Sequence, residues 1–165
     1  MNATAIPVDE LTGQLLDAAD GILADTAAAG LIISHENFLH RDAFHRIIST
    51  GASISTGQPL ATIGWDAALR ALDAGQMPCA SSEQAILRIA ASLGDPAIGV
   101  RLRTVLGNLD RRNITLVTDA VTAANGNPSQ LPGRPGPQIG CRTPCWPLSD
   151  LPAAPDPLTP ADLVT

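Results

Sequence analysis

All three histidines of the chain fall in one short stretch, SHENFLHRDAFHR, together with two carboxylates. The histidines are His35, His40 and His45, and the carboxylates are Glu36 and Asp42. Imidazole nitrogens and carboxylate oxygens bind zinc and iron, and the same groups exchange protons near neutral pH. The stretch is therefore a candidate metal site or a candidate acid–base site, in which His45 and Asp42 would form the closest pair.

The spacing of five between neighbouring histidines opposes a shared metal ion. On an α-helix five residues turn about 500°, which places neighbouring side chains about 140° apart. On a strand an odd spacing places them on opposite faces. The i, i+4 histidine pair of zinc-binding helices, written H-E-x-x-H, does not occur in the chain. We therefore expect the three histidines to be polar residues on a helix surface. A metal site would need a strand-to-helix break near 37–40 to bring them together.

A second candidate site is a group of arginines around the turn LGNLD. Its members are Arg101, Arg103, Arg111 and Arg112. Guanidinium groups bind carboxylates and phosphates through paired hydrogen bonds. Two helices joined by a short glycine-containing turn over 98–124 would also describe a DNA-binding helix-turn-helix. Because Asp95, Asp110 and Asp119 lie close in the sequence, we favour a solvated face or a protein-binding surface over a DNA-binding one.

Residue types that the sequence lacks exclude several kinds of catalytic and cofactor-binding site. All ten basic residues are arginine, and the chain has neither lysine nor tyrosine. A phosphate-loop lysine, a Schiff-base lysine and a tyrosine acid are therefore excluded. The three cysteines are Cys79, Cys141 and Cys145, an odd number that does not suggest a disulfide framework, and the last two supply only half of a structural zinc site. We expect no cofactor.

The net charge of −6 is unevenly distributed along the chain. Residues 1–30 carry five acids and no arginine, whereas residues 31–125 are neutral overall. This distribution does not provide the concentrated positive charge with which proteins bind nucleic acid or anionic lipid. No basic leader precedes an apolar run, and no apolar run approaches the roughly 20 residues of a membrane span. We therefore expect a cytoplasmic protein that does not bind membranes.

Apolar periodicity predicts a small all-α bundle of five to six short helices. Scarce aromatic residues, 2% of the chain, suit closely packed helices better than a sandwich or barrel. A short extended segment at 31–34 and a connecting loop over 48–64 complete the prediction, and a Ser/Thr/Gly loop of that kind could also cradle an anion. The predicted helices are 8–29, 41–49, 65–74, 82–93, 98–106 and 111–124.

Three regions follow from this pattern. We predict an acidic amphipathic helix or arm at 1–30, a helical core at 31–125, and a disordered tail at 126–165. The tail contains ten of the 14 prolines, a composition that cannot form a packed core.

Several segments resemble small uncharacterised proteins of high-GC Gram-positive bacteria. They are STGASISTG, WDAALRALDAGQMPCASSEQAILRIAASL and GNLDRRNITLVTDAV. The resemblance covers roughly 31–125 and implies a bacterial protein with a core domain over that range. It implies no activity, ligand or catalytic residue.

The sequence leaves three functions open. We favour a non-enzymatic protein-interaction or regulatory module with a protein partner or a second copy, whose mark would be an uncovered apolar helix face. An enzyme using His35, Glu36, His40 and Asp42 would instead need a pocket holding at least two histidines. A DNA-binding protein would need a protruding final helix with outward arginines.

Overall fold

A computed structural model of the protein describes residues 6–126. In that part of the chain seven α-helices, one short 3-10 helix at Phe38–His40 and two antiparallel strands occur. In chain order they are α1 Val8–Ala18, α2 Leu23–His35, α3 Asp42–His45, β1 Ile48–Ala52, β2 Pro59–Ile63, α4 Trp65–Asp73, α5 Ser81–Gly94, α6 Leu102–Leu106 and α7 Arg111–Ala124. The fold is thus mostly helical, as predicted, but it is not all-α.

Helix α2 lies at the centre and packs against both α5 and α7. Its residues from Ala27 to Ile32 are all buried, which is the pattern of a helix covered on every side. The prediction of an extended segment at 31–34 is therefore wrong. An apolar run without periodicity is shared by buried strands and buried helices, and here the packing of two neighbouring helices selects the helix.

The predicted helix over 8–29 is two helices, separated by a turn at Gly21. Gly21 has a φ of +92°, a backbone conformation that glycine adopts without steric cost. The hydroxyl of Thr26 donates to the carbonyl of Ala19 at 2.8 Å and ties α2 to the end of α1. Leu11 and Leu15 of α1 are buried in the same core as α2 and α5, so residue 30, the expected end of an arm, lies inside α2.

The two strands replace the loop predicted over 48–64. Ile48 pairs with Ile63 and Thr50 with Ala61, and α1 packs on β2. The repeated Ile-Ser-Thr-Gly motif misled the prediction because its two copies have different roles. The first copy begins β1 with β-branched residues that suit a pleated surface. The second lies in the turn, where Ile54 is fully exposed and Gly57 has a φ of +70°.

The helices with the clearest periodicity are confirmed, namely α4, α5 and α7. Asp110 caps α7 and accepts a hydrogen bond from the Asn113 N–H at 2.8 Å. The predicted helices at 41–49 and 98–106 are both shorter than expected. The first is cut short because β1 begins at Ile48, and the second because residues 98–101 are not helical.

No helix in the described part has both the length and the hydropathy to cross a bilayer. The predicted disordered tail lies outside the described residues except for Gly126, and so do Cys141 and Cys145.

Candidate functional site

The three histidines point to three different environments. His35 ends α2 and is buried, His40 is exposed at the end of the 3-10 helix, and His45 is buried in α3. The Nε2 atom of His45 is hydrogen-bonded to the carbonyl oxygen of Leu39. Between residues 6 and 126 no group of three histidine, cysteine or acidic side chains could hold a metal ion.

The two carboxylates of that stretch are exposed. Glu36 follows the last residue of α2 with a φ of +64°, and this left-handed residue turns the chain out of the helix. Asp42 opens α3 and faces solvent. Neither of them lines the cavity beside His35, so the five predicted residues do not share one site.

A polar cavity of about 190 Å³ lies where the C-terminal end of α2 meets the N-terminal ends of α5 and α7. Its lining residues are His35, Asn37, Ala80, Ser82, Glu83, Asp110, Arg112 and Asn113. Three of them, His35, Glu83 and Asn113, are more than nine-tenths buried although they are polar. Buried polar groups need partners, which makes this the most chemically constrained place in residues 6–126.

Glu83 is the centre of a hydrogen-bonded cluster beside the cavity. Its Oε1 accepts from Arg41 Nη2 at 2.6 Å and from Asn37 Nδ2 at 3.1 Å. Its Oε2 accepts from the Ala80 N–H at 2.8 Å, which caps the start of α5. Burial opposes ionisation of this carboxyl, but the hydrogen bonds from Arg41 and Ala80 and the charge of Arg41 hold the pKa of Glu83 below its usual range.

Arg41 extends this cluster to the turn that precedes α5. Its Nη1 donates to the carbonyl of Pro78 at 2.8 Å and contacts the Cys79 sulfur at 3.0 Å. Burial raises the pKa of the Cys79 thiol even though Arg41 acts in the opposite direction. A neutral thiol is a poor nucleophile, so the cluster holds three chain segments together and does not activate the cysteine.

His35 differs from its neighbours because part of it has no partner. The Nδ1 atom is buried without a hydrogen bond to any described residue, and the ring lies 5.2 Å from the Phe38 ring centroid. Burial lowers the pKa of His35; the Glu83 carboxylate raises it, whereas Arg112 and Arg41 lower it. The imidazole is therefore neutral at pH 7.

The four predicted binding arginines are all exposed. Among residues 6–126 none of Arg101, Arg103, Arg111 and Arg112 forms an ion pair. Arg112 is set apart from the other three because it lines the polar cavity.

Helices α6 and α7 leave large apolar side chains uncovered. Leu102 and Leu106 are 56% and 44% exposed, and they are neighbours on one side of α6 because they are four residues apart. Ile114 and Val121 of α7 are 46% and 51% exposed. Leu102 and Leu106, with Arg101 and Arg103 on either side of Leu102 in the sequence, are here named the α6 face.

Comparisons with known protein families, with curated proteins and with solved structures found no match to this chain. Function is therefore inferred from the cavity and the α6 face alone. The sequence analysis named His35 and Arg112 as candidates, but it missed the part played by Glu83. The sequence does contain a signal for this role, because Glu83 lies three residues after Ala80, the position from which an acid can accept a hydrogen bond from an N–H at the start of a helix.

Proposed function

We propose that this protein is a non-enzymatic interaction module that binds an acidic amphipathic segment of another protein through the α6 face. The observation that supports the proposal is the pair of half-exposed leucines, Leu102 and Leu106, next to two arginines that form no ion pair within residues 6–126. Apolar side chains in contact with each other on a surface are typical of protein-binding sites.

Charge complementarity identifies the kind of partner. Between residues 96 and 109 the chain has two arginines and no acid, whereas the whole chain has a net charge of −6. The α6 face therefore attracts acidic side chains although the protein as a whole repels them. An amphipathic segment places leucine-type residues on the two leucines and its acids on Arg101 and Arg103.

The acidic helix of the same chain is not a suitable occupant. The two buried leucines of α1, Leu11 and Leu15, are 0% and 2% exposed, and α1 already packs against β2 and α2. A second copy could bind through α1 only after partial unfolding. We therefore assign the segment to a different protein.

The other two functions have less support. The acid–base quartet has no common site, because the cavity lined by His35 includes neither His40 nor Asp42. Helix α7 packs along α2 and buries Asn113, Val117 and Ala120, and α6 has only five residues. A DNA-recognition helix would be expected to stand away from the core.

The affinity of such a surface for a short peptide should be low. Full burial of a leucine contributes about 1.5–3 kcal/mol, and each leucine here is already half-covered, so the pair together supplies about 1.5–3 kcal/mol. Exposed arginine–carboxylate pairs add about 0.2–1 kcal/mol each. The two contributions sum to about 2–5 kcal/mol before the entropic cost of association, so we expect a Kd no tighter than about 1 mM.

The test is an NMR titration of the isotope-labelled full chain with two designed peptides. Both place leucine at i, i+3, i+4 and i+7; one has glutamate at the remaining positions and the other has lysine. We expect saturable shifts in α6 with the glutamate peptide only, weakened by added salt and abolished in the double variant Leu102→Ser, Leu106→Ser.

The matched control is Ile54→Ser, which removes an exposed isoleucine in the hairpin turn and should leave binding unchanged. Equal binding of both peptides, no saturable binding, or shifts that survive the double serine variant would reject the proposal. Self-association of the unmodified chain that disappears in the double variant would assign the α6 face to a second copy instead.

A further inference from the structure

We propose that a second cavity, bordered by α1, α2, β2 and Trp65, binds a small apolar amine in its ammonium form. Asp25 would hold the charge, and Trp65 with the surrounding alanines would hold the apolar part. The site is separate from the polar cavity and from the α6 face, and the proposal does not depend on the function proposed above.

The size of this cavity fits a single ring. Its volume is about 200 Å³, whereas close-packed protein interiors leave few voids larger than a water molecule. An apolar cavity of about 150 Å³ is large enough to bind benzene. The space therefore accommodates one six-membered ring with a short substituent. Its border includes Leu15, Ala18, Asp25, Ala29, Ala61 and Trp65, and it is here named the Trp65 cavity.

The inner wall of the Trp65 cavity is apolar. Leu15, Ala29 and Ala61 come from three different elements and are 2%, 4% and 0% exposed. Two of these residues are alanines, whose small side chains leave the space between the elements open. Transfer of an apolar group from water to such a wall is favourable, so the ligand should carry one.

Trp65 supplies an aromatic wall. It begins α4, is half-buried, and lies directly against Gly94 at the end of α5, which also borders the cavity. A Cβ atom at Gly94 would come within 3 Å of three atoms of the indole, so the glycine is what allows the ring to lie there. An indole attracts a cation within about 6 Å of its centroid more strongly than the other aromatic rings do.

Asp25 supplies the negative charge. It is the one charged residue between 6 and 126 that lines the Trp65 cavity, and it is partly buried. With the described residues its carboxylate forms neither an ion pair nor a side-chain hydrogen bond. A carboxylate accepts short, strong hydrogen bonds from an ammonium group. A single acid beside an aromatic ring and an apolar wall thus matches an amine with one positive charge.

The surrounding charges favour a cation over an anion. Helices α1 and α2 contribute half of the lining residues, and residues 1–30 contain five acids and no arginine. On the other side of the cavity, Arg70 of α4 is already paired with Asp66. A carboxylate or phosphate ligand would therefore meet Asp25 without a cation to balance it, whereas an ammonium ion is attracted.

The test is an NMR titration of the full chain with isotope-labelled tryptophan at neutral pH. The probe is benzylammonium chloride, compared with uncharged benzyl alcohol and with sodium benzoate at the same ionic strength. The reporter is the indole N–H of Trp65, which a Trp146→Phe variant distinguishes from the other tryptophan.

We expect a saturable shift of the Trp65 signal with benzylammonium and none with benzoate. Benzyl alcohol should bind about tenfold more weakly than benzylammonium, the ratio expected for the loss of one charge-assisted hydrogen bond. Added salt should weaken the binding of benzylammonium and leave that of benzyl alcohol unchanged.

Three variants locate the binding. Asp25→Asn should weaken benzylammonium about tenfold and leave benzyl alcohol unchanged, a combination that loss of folding cannot produce. Asp17→Asn is the matched control, because Asp17 is an exposed acid of α1 that does not line the cavity, and it should change neither affinity. Ala18→Leu fills part of the space and should abolish the binding of both probes.

Four results would overturn the assignment. They are the absence of a saturable shift with benzylammonium, equal affinity for benzylammonium and benzyl alcohol, an unchanged benzylammonium affinity in Asp25→Asn, and binding that survives Ala18→Leu with a native spectrum. If Asp25→Asn does not fold, the ratio of the two probes and its loss at high salt in the unmodified chain decide the question.

Discussion

Replacement of Glu83 by glutamine is the perturbation that best tests how the site is held together. Glu83 accepts hydrogen bonds from Arg41, Asn37 and the Ala80 N–H, and so connects the segment after α2 to the start of α5. Glutamine has nearly the same shape, but it has one acceptor oxygen and its amide group can only donate. One of the donors, Arg41 or Ala80, would then face another donor.

The magnitude follows from the hydrogen bonds that are lost. A hydrogen bond to a charged group contributes about 1.5–3 kcal/mol, and Glu83→Gln removes the charge and at least one such bond. We expect the free energy of unfolding to fall by about 3 kcal/mol. For a domain of this size that lowers the Tm by roughly 10–15 °C.

The matched control is Asp73→Asn, which removes the ion pair between Arg88 and Asp73. That pair is also intramolecular and also involves α5, but the side chains are 36% and 60% exposed. An exposed ion pair contributes about 0–1 kcal/mol. Urea denaturation of both variants at pH 7, followed by circular dichroism, measures the difference between a buried and an exposed pair.

The pH dependence provides a second readout from the same variants. Because the pKa of Glu83 is lowered in the folded protein, its stabilising contribution is present above the unfolded value of about 4.5. The contribution is lost as the pH falls through the folded pKa, which lies below that value. The difference in unfolding free energy between the unmodified chain and Glu83→Gln should therefore be constant from pH 5 to 7 and shrink at lower pH.

Two results would refute this reasoning. If Glu83→Gln costs no more than Asp73→Asn, the buried cluster does not stabilise the fold. If the difference between the unmodified chain and Glu83→Gln stays constant down to pH 3, the ionised carboxylate is not the group responsible.

Three further predictions concern single residues around the core and the cavity. Gly94→Ala should destabilise the protein by about 1–3 kcal/mol and shift the tryptophan fluorescence, because a Cβ atom at this position would meet the Trp65 indole. The control Gly99→Ala should change neither, because nothing lies within 4 Å of a Cβ atom there. Equal melting temperatures of the two variants would contradict this packing. Asp110→Ala should cost about 1 kcal/mol by removing the cap of α7, and Asp110→Asn should recover most of it in thermal unfolding. His35→Gln should reduce the fall in unfolding free energy as the pH drops below 6.5. The pKa of His35 is lowered in the folded state, so in the unmodified chain the unfolded state binds the proton more readily. Parallel pH profiles of the variant and the unmodified chain would disprove this prediction.

The fold could be predicted from the sequence where local signals agree with the packing. Helices α4, α5 and α7 each combine a helical apolar stripe with a nearby glycine or a cap, and their predicted bounds lie within one or two residues of the observed ones. The hairpin could not be predicted in the same way. Its strands contain serine, threonine, glycine and proline, and only Ile48 and Ala61 of their ten residues are buried, so no alternation of apolar residues marks them.

The candidate site was predicted only in part for a related reason. His35 stood out by residue type, but the hydrogen bonds of the neighbouring Glu83 cluster join residues that are distant in the sequence: Arg41 and Glu83 are 42 residues apart, and Asn37 and Glu83 are 46 apart. Spacing rules apply within one helix or strand, whereas this cluster forms where the ends of three helices meet. The spacing correctly opposed convergence of the three histidines, but it could not identify the groups that surround the buried one.

The arginines show the same distinction within one helix. Arg111 and Arg112 are adjacent in the sequence, yet only Arg112 lines the polar cavity. Consecutive residues of a helix lie about 100° apart around its axis, so a run of like charges is divided between two surfaces. A cluster of four arginines in the sequence is therefore not one binding surface. Because Arg112 lines the cavity and lies outside the α6 face, the double serine variant of α6 should weaken peptide binding, whereas Arg112→Gln should leave it unchanged.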